Sequence, residues 1–263
     1  MASLLPDIVY PGLGFAVVCL AVTTVSLRLP AFRELDWETR FFCALCCGAL
    51  VNCSVVSWPA LAALQELYDK HGFNLACGGA SINLLHLPAP PNAVLACGLT
   101  CGYFLQDSLL LLLYPKETEK GLGGRSAYKI MWMHHVLSLL IWPYGLVKNL
   151  NVVFVTYFLA TEITNIGQNI FLIASRSRIF GSGLDLPIGI AWAFTFLVAR
   201  VLPVPFIVYA YVRTLVLTPG GCGMETYEYL ITLVTVPIPI ALNLFWFYKI
   251  VSKARRMISK KKK

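Results

Sequence analysis

The 263-residue sequence predicts an all-α membrane protein that crosses the bilayer seven times, and three observations lead there. Hydrophobic residues make up 58% of the chain and charged residues 13%, about half the charged share of an ordinary soluble domain. The mean hydropathy is +0.71. Seven runs stay apolar over roughly the 20 residues a helix needs to cross the hydrocarbon layer. This composition excludes a soluble globular domain and a disordered chain. It also excludes a disulfide-rich secreted domain, because most of the nine cysteines lie inside the apolar runs.

In order, the runs are Ile8 to Leu27, Phe41 to Leu64, Ala93 to Leu113, Met131 to Val147, Val152 to Ile173, Leu186 to Val212 and Tyr229 to Ile250. The first has the length of a signal peptide. Met1 to Asp7 carries no basic residue, however, and no small-residue cleavage site follows Leu27 before Arg28, so the run is expected to remain as a span. The longest loop, Gln65 to Asn92, parts the second run from the third, and Pro88, Pro90 and Pro91 stop any helix before the third begins. The fourth is marginal at 17 residues, and only Lys148 to Asn151 separates it from the fifth, so these two form a tight hairpin or a bent pair. Pro237 and Pro239 are expected to bend the seventh. There is no internal repeat. The chain divides into an N-terminal segment with the first helix (1–36), a block of six helices (37–253) and a basic tail (254–263).

Basic residues resist translocation, so their distribution orients the spans. Of the 21 Lys and Arg, 17 fall on the side of the C-terminus: Arg28, Arg33 and Arg40, then Lys116, Lys120, Arg125 and Lys129, then Arg176 and Arg178, then eight from Lys249 onward. Only Lys70, Lys148 and Arg213 fall on the other side, and Arg200 lies within a span. The C-terminus is therefore expected in the cytoplasm and the N-terminus in a lumen. The formal charge of +8 is concentrated in a tail and does not describe a nucleic-acid face. Lys260 and Lys261 stand at the fourth and third positions from the end, as in a dilysine retrieval signal of the endoplasmic reticulum. A polybasic segment held to anionic lipid, at about 1 kcal/mol per residue, is compatible with that signal.

An ionisable side chain inside a span costs about 2.5 to 3.5 kcal/mol on insertion scales and marks function by default. Asp107, His134, His135, Glu162 and Arg200 qualify. Counting helical rise from the cytoplasmic ends puts Asp107 about 10 Å deep and His134 about 5 Å deep, so the aspartate and the histidine pair can meet. Glu162 and Arg200 fall nearer the midplane, and Arg200 is expected to neutralise Glu162 or Asp107. Thr100, Tyr103 and Asp107 share one helix face, as do Glu162, Asn165 and Asn169, and Asn243 lies on a polar face of the last run. Polar stripes of this kind serve either a binding pocket or interhelical hydrogen bonding worth about 0.6 kcal/mol each, and both readings stand for Asn165, Asn169 and Asn243. His134 and His135 are about 100° apart on a helix, so at most one of them is expected to face a shared pocket squarely. Ser138 lies on the face of His134.

An imidazole oriented by a carboxylate can take a proton from a hydroxyl or amine, or can itself attack an acyl thioester. The candidate catalytic residues are thus His134, His135, Asp107 and Glu162, and the candidate substrate-binding residues are Tyr103, Ser138, Asn165, Asn169, Arg200 and Asn243. Four histidines, of which His71 and His86 are placed in the lumen, cannot build a membrane di-iron site, so no metal is expected. Cys43 and Cys46 have redox spacing but apolar surroundings and are read as packing. Cys77 and Cys222 fall in lumenal loops and are expected to pair as a disulfide.

Gln106-Asp107, Met133-His134-His135, Thr161-Glu162-Ile163-Thr164-Asn165 and Arg200 together resemble the TLC-domain family, which includes the ceramide synthases, from about Trp37 to Lys253. The resemblance implies six helices in a barrel around a lipid-sized cavity, with one extra helix before it, usually in the endoplasmic reticulum. Relative to the ceramide synthase motif, Ser138 stands in place of a threonine, Thr161 in place of a histidine and Asn165 in place of an aspartate.

The expected function is intramembrane lipid handling in sphingolipid or phospholipid acyl-chain homeostasis. One form is acyl transfer to a lipid amine or hydroxyl, with acyl-CoA as co-substrate and no bound cofactor; the alternative is non-catalytic lipid binding or regulation. Cytoplasmic basic residues such as Lys116, Lys120, Arg125, Lys129, Arg176 and Arg178 are placed to meet the phosphates of acyl-CoA. A seven-helix receptor is disfavoured, because Leu113-Tyr114-Pro115 ends the third span without an acidic-Arg pair and the last lacks Asn-Pro-x-x-Tyr.

Overall fold

A computed structural model describes residues 4–72, 83–179, 181, 183–217 and 225–261. The described residues contain helices and connecting turns and no strand. The Cys77–Cys222 pairing lies outside them. Among the described residues six helical segments are long and apolar enough to cross a membrane: Leu5–Ser26, Trp37–His71, Pro91–Leu113, Arg125–Val147, Asp185–Leu215 and Thr226–Ser252.

Helix α1 (Leu5–Ser26) buries Ile8, Gly12, Phe15, Cys19, Thr23 and Ser26. Their spacing of three and four makes one stripe, while Tyr10 and Val17 on the other side are exposed. Helix α2 (Trp37–His71) is capped by Asp36, whose carboxylate accepts from the Thr39 amide (3.0 Å) and hydroxyl (2.8 Å). Those two donors hold the Asp36 pKa down at about 2. With 35 residues, α2 is about 52 Å long against a hydrocarbon layer of about 30 Å. It therefore takes up the start of the segment expected as a loop from Gln65.

Helix α3 (Pro91–Leu113) opens on the predicted proline stop. It meets α1 backbone to backbone: a Cβ on Gly102 would stand 1.9 Å from the Gly12 carbonyl oxygen, and one on Gly98 would stand 2.6 Å from that of Ile8. Gly98 and Gly102 have the small-residue spacing that lets membrane helices approach this closely.

After the short α4 (Pro115–Leu122), closed by Gly123 at φ 90°, comes α5 (Arg125–Val147). It has 23 residues rather than 17 because its first turns, with Arg125 and Lys129, are too polar to read as a span. The expected hairpin follows. Asn149 and Asn151 adopt positive φ, which asparagine tolerates better than most residues, and the Asn151 amide donates to the Leu85 carbonyl (2.8 Å).

The fifth apolar run is not one helix. It divides into α6 (Val152–Ala160), a 3-10 turn (Thr161–Ile163) and α7 (Thr164–Ser177). The hydroxyls of Thr161 and Thr164 turn back onto the carbonyls of Phe158 and Thr161 (2.8 and 2.9 Å), a competing bond that accompanies the tighter winding. The sixth run is α8 (Asp185–Phe196), a π turn (Leu197–Val201) and α9 (Val204–Leu217). The wide turn is closed by Leu202 N to Leu197 O at 2.9 Å, just before Pro203, which has no amide hydrogen to donate. The seventh run breaks at Val236 into α10 (Thr226–Thr235) and α11 (Pro237–Lys261). This is the expected proline effect.

Helix α2 packs against α1, α3, α6 and α7, α3 also packs against α5, and α8 packs against α7 and, more lightly, α11. The main apolar core fills the end away from the basic tail, where Leu67, Leu84, Leu85, Leu146, Val152 and Val155 are almost wholly buried. A smaller cluster of Phe32, Phe42, Cys43, Cys46 and Ile173 packs the tail end, consistent with reading these two cysteines as packing groups. Between the two cores lies a cavity.

Candidate functional site

The cavity has a volume of about 520 Å³, within the ordinary range for small-molecule sites. Its mouth, at the basic-tail end, carries Gly121 to Gly123, Arg176, Asp185 and Lys249, and apolar side chains such as Phe171, Trp192 and Trp246 form its walls. Its depth is polar. Eight of the ten expected site residues line it: Tyr103, His134, His135, Glu162, Asn165, Asn169, Arg200 and Asn243. Asp107 stands behind His135, and Ser138 lines a neighbouring crevice instead.

His135 is 2% exposed, with Nδ1 3.6 Å from Asp107 Oδ2 and, among the described residues, no hydrogen bond at that nitrogen. Phe104 stacks on His135 (centroids 4.5 Å apart, planes at 22°) and meets His134 edge-on at 5.3 Å. The two imidazole centroids are 5.6 Å apart, and Trp142 approaches His134 edge-on at 6.3 Å. Both histidines border the cavity, with His135 almost wholly buried. Phe104 fills the angle between them, so the wall turns around the pair.

On the opposite wall, the π turn aims Arg200 inward. Its Nε donates to Thr164 Oγ1 (2.8 Å) and its Nη1 to Asn243 Oδ1 (3.2 Å). Its Nη2 faces the Thr161 carbonyl (2.9 Å), Glu162 Oε1 (3.3 Å) and Asn165 Oδ1 (3.3 Å). Asn165 Nδ2 donates to Glu162 Oε2 (3.0 Å), and Asn169 Nδ2 donates to the Asn165 carbonyl (2.8 Å). Arg200 thus neutralises Glu162 and makes no ion pair with Asp107 among the described residues. Each group in this cluster is engaged by another, whereas His134 lines the cavity with ring contacts and, among the described residues, no hydrogen bond. Among the described residues no group of three His, Cys, Asp or Glu side chains is arranged to hold a metal ion.

Of the six basic residues placed near the acyl-CoA phosphates, Arg176 alone lines the cavity. It donates to the Gly121 carbonyl (2.5 Å) and lies over the Phe42 ring at 4.4 Å. Lys120 is bound to Glu38 at 2.7 Å instead, a contact that raises its pKa. Lys249, which was assigned to the tail, is at the mouth.

Sequence reasoning missed Phe104, Trp142, Cys53 and Thr164 as parts of the site. Thr164, one turn after Thr161, carried a signal in its helical spacing. The aromatic residues carried none that separates them from core. Tyr157 was also missed: its hydroxyl donates to the Ala199 carbonyl (2.5 Å) and braces the π turn.

Among curated proteins none matches the chain. A family model described as the TLC domain matches residues 37–252, from the start of α2 into α11, and the chain belongs to the TLC-domain family.

Proposed function

We propose that the protein handles lipid within the membrane by transferring a fatty acyl group from acyl-CoA to a lipid amine or hydroxyl. The observation that carries this reading is His134, open to the cavity beside His135, with Asp107 3.6 Å behind that second imidazole. His134 takes the proton as the amine or hydroxyl attacks the thioester carbonyl; the carbon–sulfur bond breaks, and the departing thiolate receives the proton. Asp107 orients His135. Glu162, Asn165, Asn169 and Asn243 hold the facing wall through Arg200, with Glu162 as a positioning residue, and Tyr103 and Ser138 border the substrate.

In this reading Val152–Ser177 supplies the remaining crossing, so that seven spans are present, six of them in a barrel around a lipid-sized cavity. The protein resides in the endoplasmic reticulum with its tail in the cytoplasm, and serves sphingolipid or phospholipid acyl-chain homeostasis. Domain limits of 1–36, 37–253 and 254–263 belong to the same proposal.

The test is purified protein with labelled acyl-CoA and a lipid amine, wild type against His134→Ala and His135→Ala. Loss of a general base is expected to lower turnover by about 10²-fold or more. Equal turnover in all three ends the enzyme reading. One observation favours non-catalytic lipid binding: Glu162 is engaged with Arg200, so this carboxylate is held in an ion pair and is not free to handle a proton. That reading predicts a co-purifying lipid by mass spectrometry and no turnover.

A further inference from the structure

The cavity does not continue straight past the histidines. Trp142 and Phe158 close its depth, and beyond them lies the solid core around Leu146, Val152 and Val155. A ligand whose polar group reaches His134 therefore has no room ahead of it along the helix axes. A second space begins at that point. It is a crevice between α5 and the α10–α11 pair, lined by Leu137 and Ile141 on one side and Val234, Ile238 and Leu242 on the other. His134, Trp142, Pro239 and Leu242 border both spaces, so the two adjoin at the imidazole. Ser138 and Thr235 are the crevice's other polar side chains, and Thr235 turns its hydroxyl back to the Ile231 carbonyl of its own helix (2.7 Å). The walls are hydrocarbon. Nearby, Val136, Leu140 and Leu233 are exposed apolar side chains on the same helices, the kind of surface that faces acyl chains.

We propose that this crevice is the seat of one hydrocarbon chain of a membrane amphiphile whose polar end is held at His134, reached from the bilayer between α5 and α11. The inference rests on the lipid-handling reading and adds to it the place of the chain. At rest the crevice holds about 20 Å³ of free space, close to one water, so α11 must give way for the chain to enter. The bonds that tie α10 to its surroundings sit toward the far end: Tyr227 with Tyr144, and Thr232 with Asn151 (2.9 Å) and Tyr211 (3.0 Å). The helix break at Val236 lies between that anchored end and the crevice wall of α11. Part of the wall can therefore yield between that anchored end and Asn243, which Arg200 holds further along α11 (3.2 Å).

The test uses the purified full-length protein and a long-chain saturated fatty acid carrying a mid-chain diazirine, photolysed and mapped by peptide mass spectrometry. Adducts are expected between Leu137 and Trp142 or between Val234 and Leu242. Ser138→Phe fills the crevice and is expected to lower those adducts about tenfold, the factor that losing the burial of about two methylenes gives. Thr235→Phe does the same from the opposite wall should the first variant fail to fold. Leu140→Phe, on a side chain 67% exposed, is expected to leave the adducts unchanged. Adducts confined to the main cavity around Phe171 and Trp192 overturn the crevice and leave lipid handling standing. No adduct at any interior position takes down both.

Discussion

Replacing Glu162 by glutamine keeps the side chain's size and turns one acceptor into a donor. Both carboxylate oxygens accept, Oε1 from Arg200 at 3.3 Å and Oε2 from Asn165 Nδ2 at 3.0 Å, while Asn165 Oδ1 accepts from Arg200 at 3.3 Å. A glutamine with its oxygen toward Arg200 sets its NH₂ against that of Asn165. Flipping Asn165 to receive it turns the asparagine NH₂ onto the guanidinium. No arrangement of the three side chains pairs every group. An unpaired buried donor costs about 1–3 kcal/mol. Removing the charge opposite a guanidinium that is only 12% exposed raises the expected loss to about 3–5 kcal/mol, as for a buried pair broken from one side. Adding Asn165→Asp moves the carboxylate to the neighbouring position. There it accepts from both the introduced glutamine and Arg200, so the double variant is expected to recover most of the loss. Denaturant titration of the purified protein, followed by tryptophan fluorescence for wild type, both single variants and the double, closes the cycle. Glu162→Gln within about 0.5 kcal/mol of wild type, or a double variant no more stable than it, would refute the reasoning.

Two further outcomes follow from the geometry. Gly102→Ala sets a Cβ 1.9 Å from a backbone oxygen that cannot swing aside; the same titration should show a loss at or above the upper end of about 1–3 kcal/mol for overpacking, whereas Gly14→Ala, with nothing within 4 Å, should show none. Asp36 has its pKa lowered to about 2 by donors from Thr39. Its contribution is therefore present above the unfolded value of about 4 and disappears as pH falls toward 2. Asp36→Ala should be less stable than wild type near neutral pH, with the difference shrinking through that acid window; a difference constant down to the acid end would remove the cap argument.

The apolar runs were legible because length and composition alone decide whether a helix crosses a bilayer. The internal breaks were not. Val152 to Ile173 reads as uninterrupted, and the turn at Thr161 comes from hydroxyls bonding to their own backbone and from Glu162 meeting Arg200 across the cavity. Counting depth brought Asp107 to the histidines but could not choose the partner of Arg200, because depth says nothing of which way around the bundle a side chain faces. The π turn at Leu197–Val201 sets that direction. The Gly98-x-x-x-Gly102 spacing was available in the sequence, but its meaning depends on a partner glycine, Gly12, in a distant segment.

The glycine contacts bear on motion as well as packing. Where two backbones touch with no side chain between them, there is nothing to repack and little to slide, so α1 and α3 behave as a single beam. Asp107, about one and a half turns beyond Gly102, is carried on that beam. The histidines ride on α5, which buries few of its residues by comparison. Any tightening of the 3.6 Å gap between carboxylate and imidazole therefore comes from the histidine side. The crevice proposed to admit a chain has α5 as one wall, so a chain that pushes α11 aside also bears on the helix that carries the histidines.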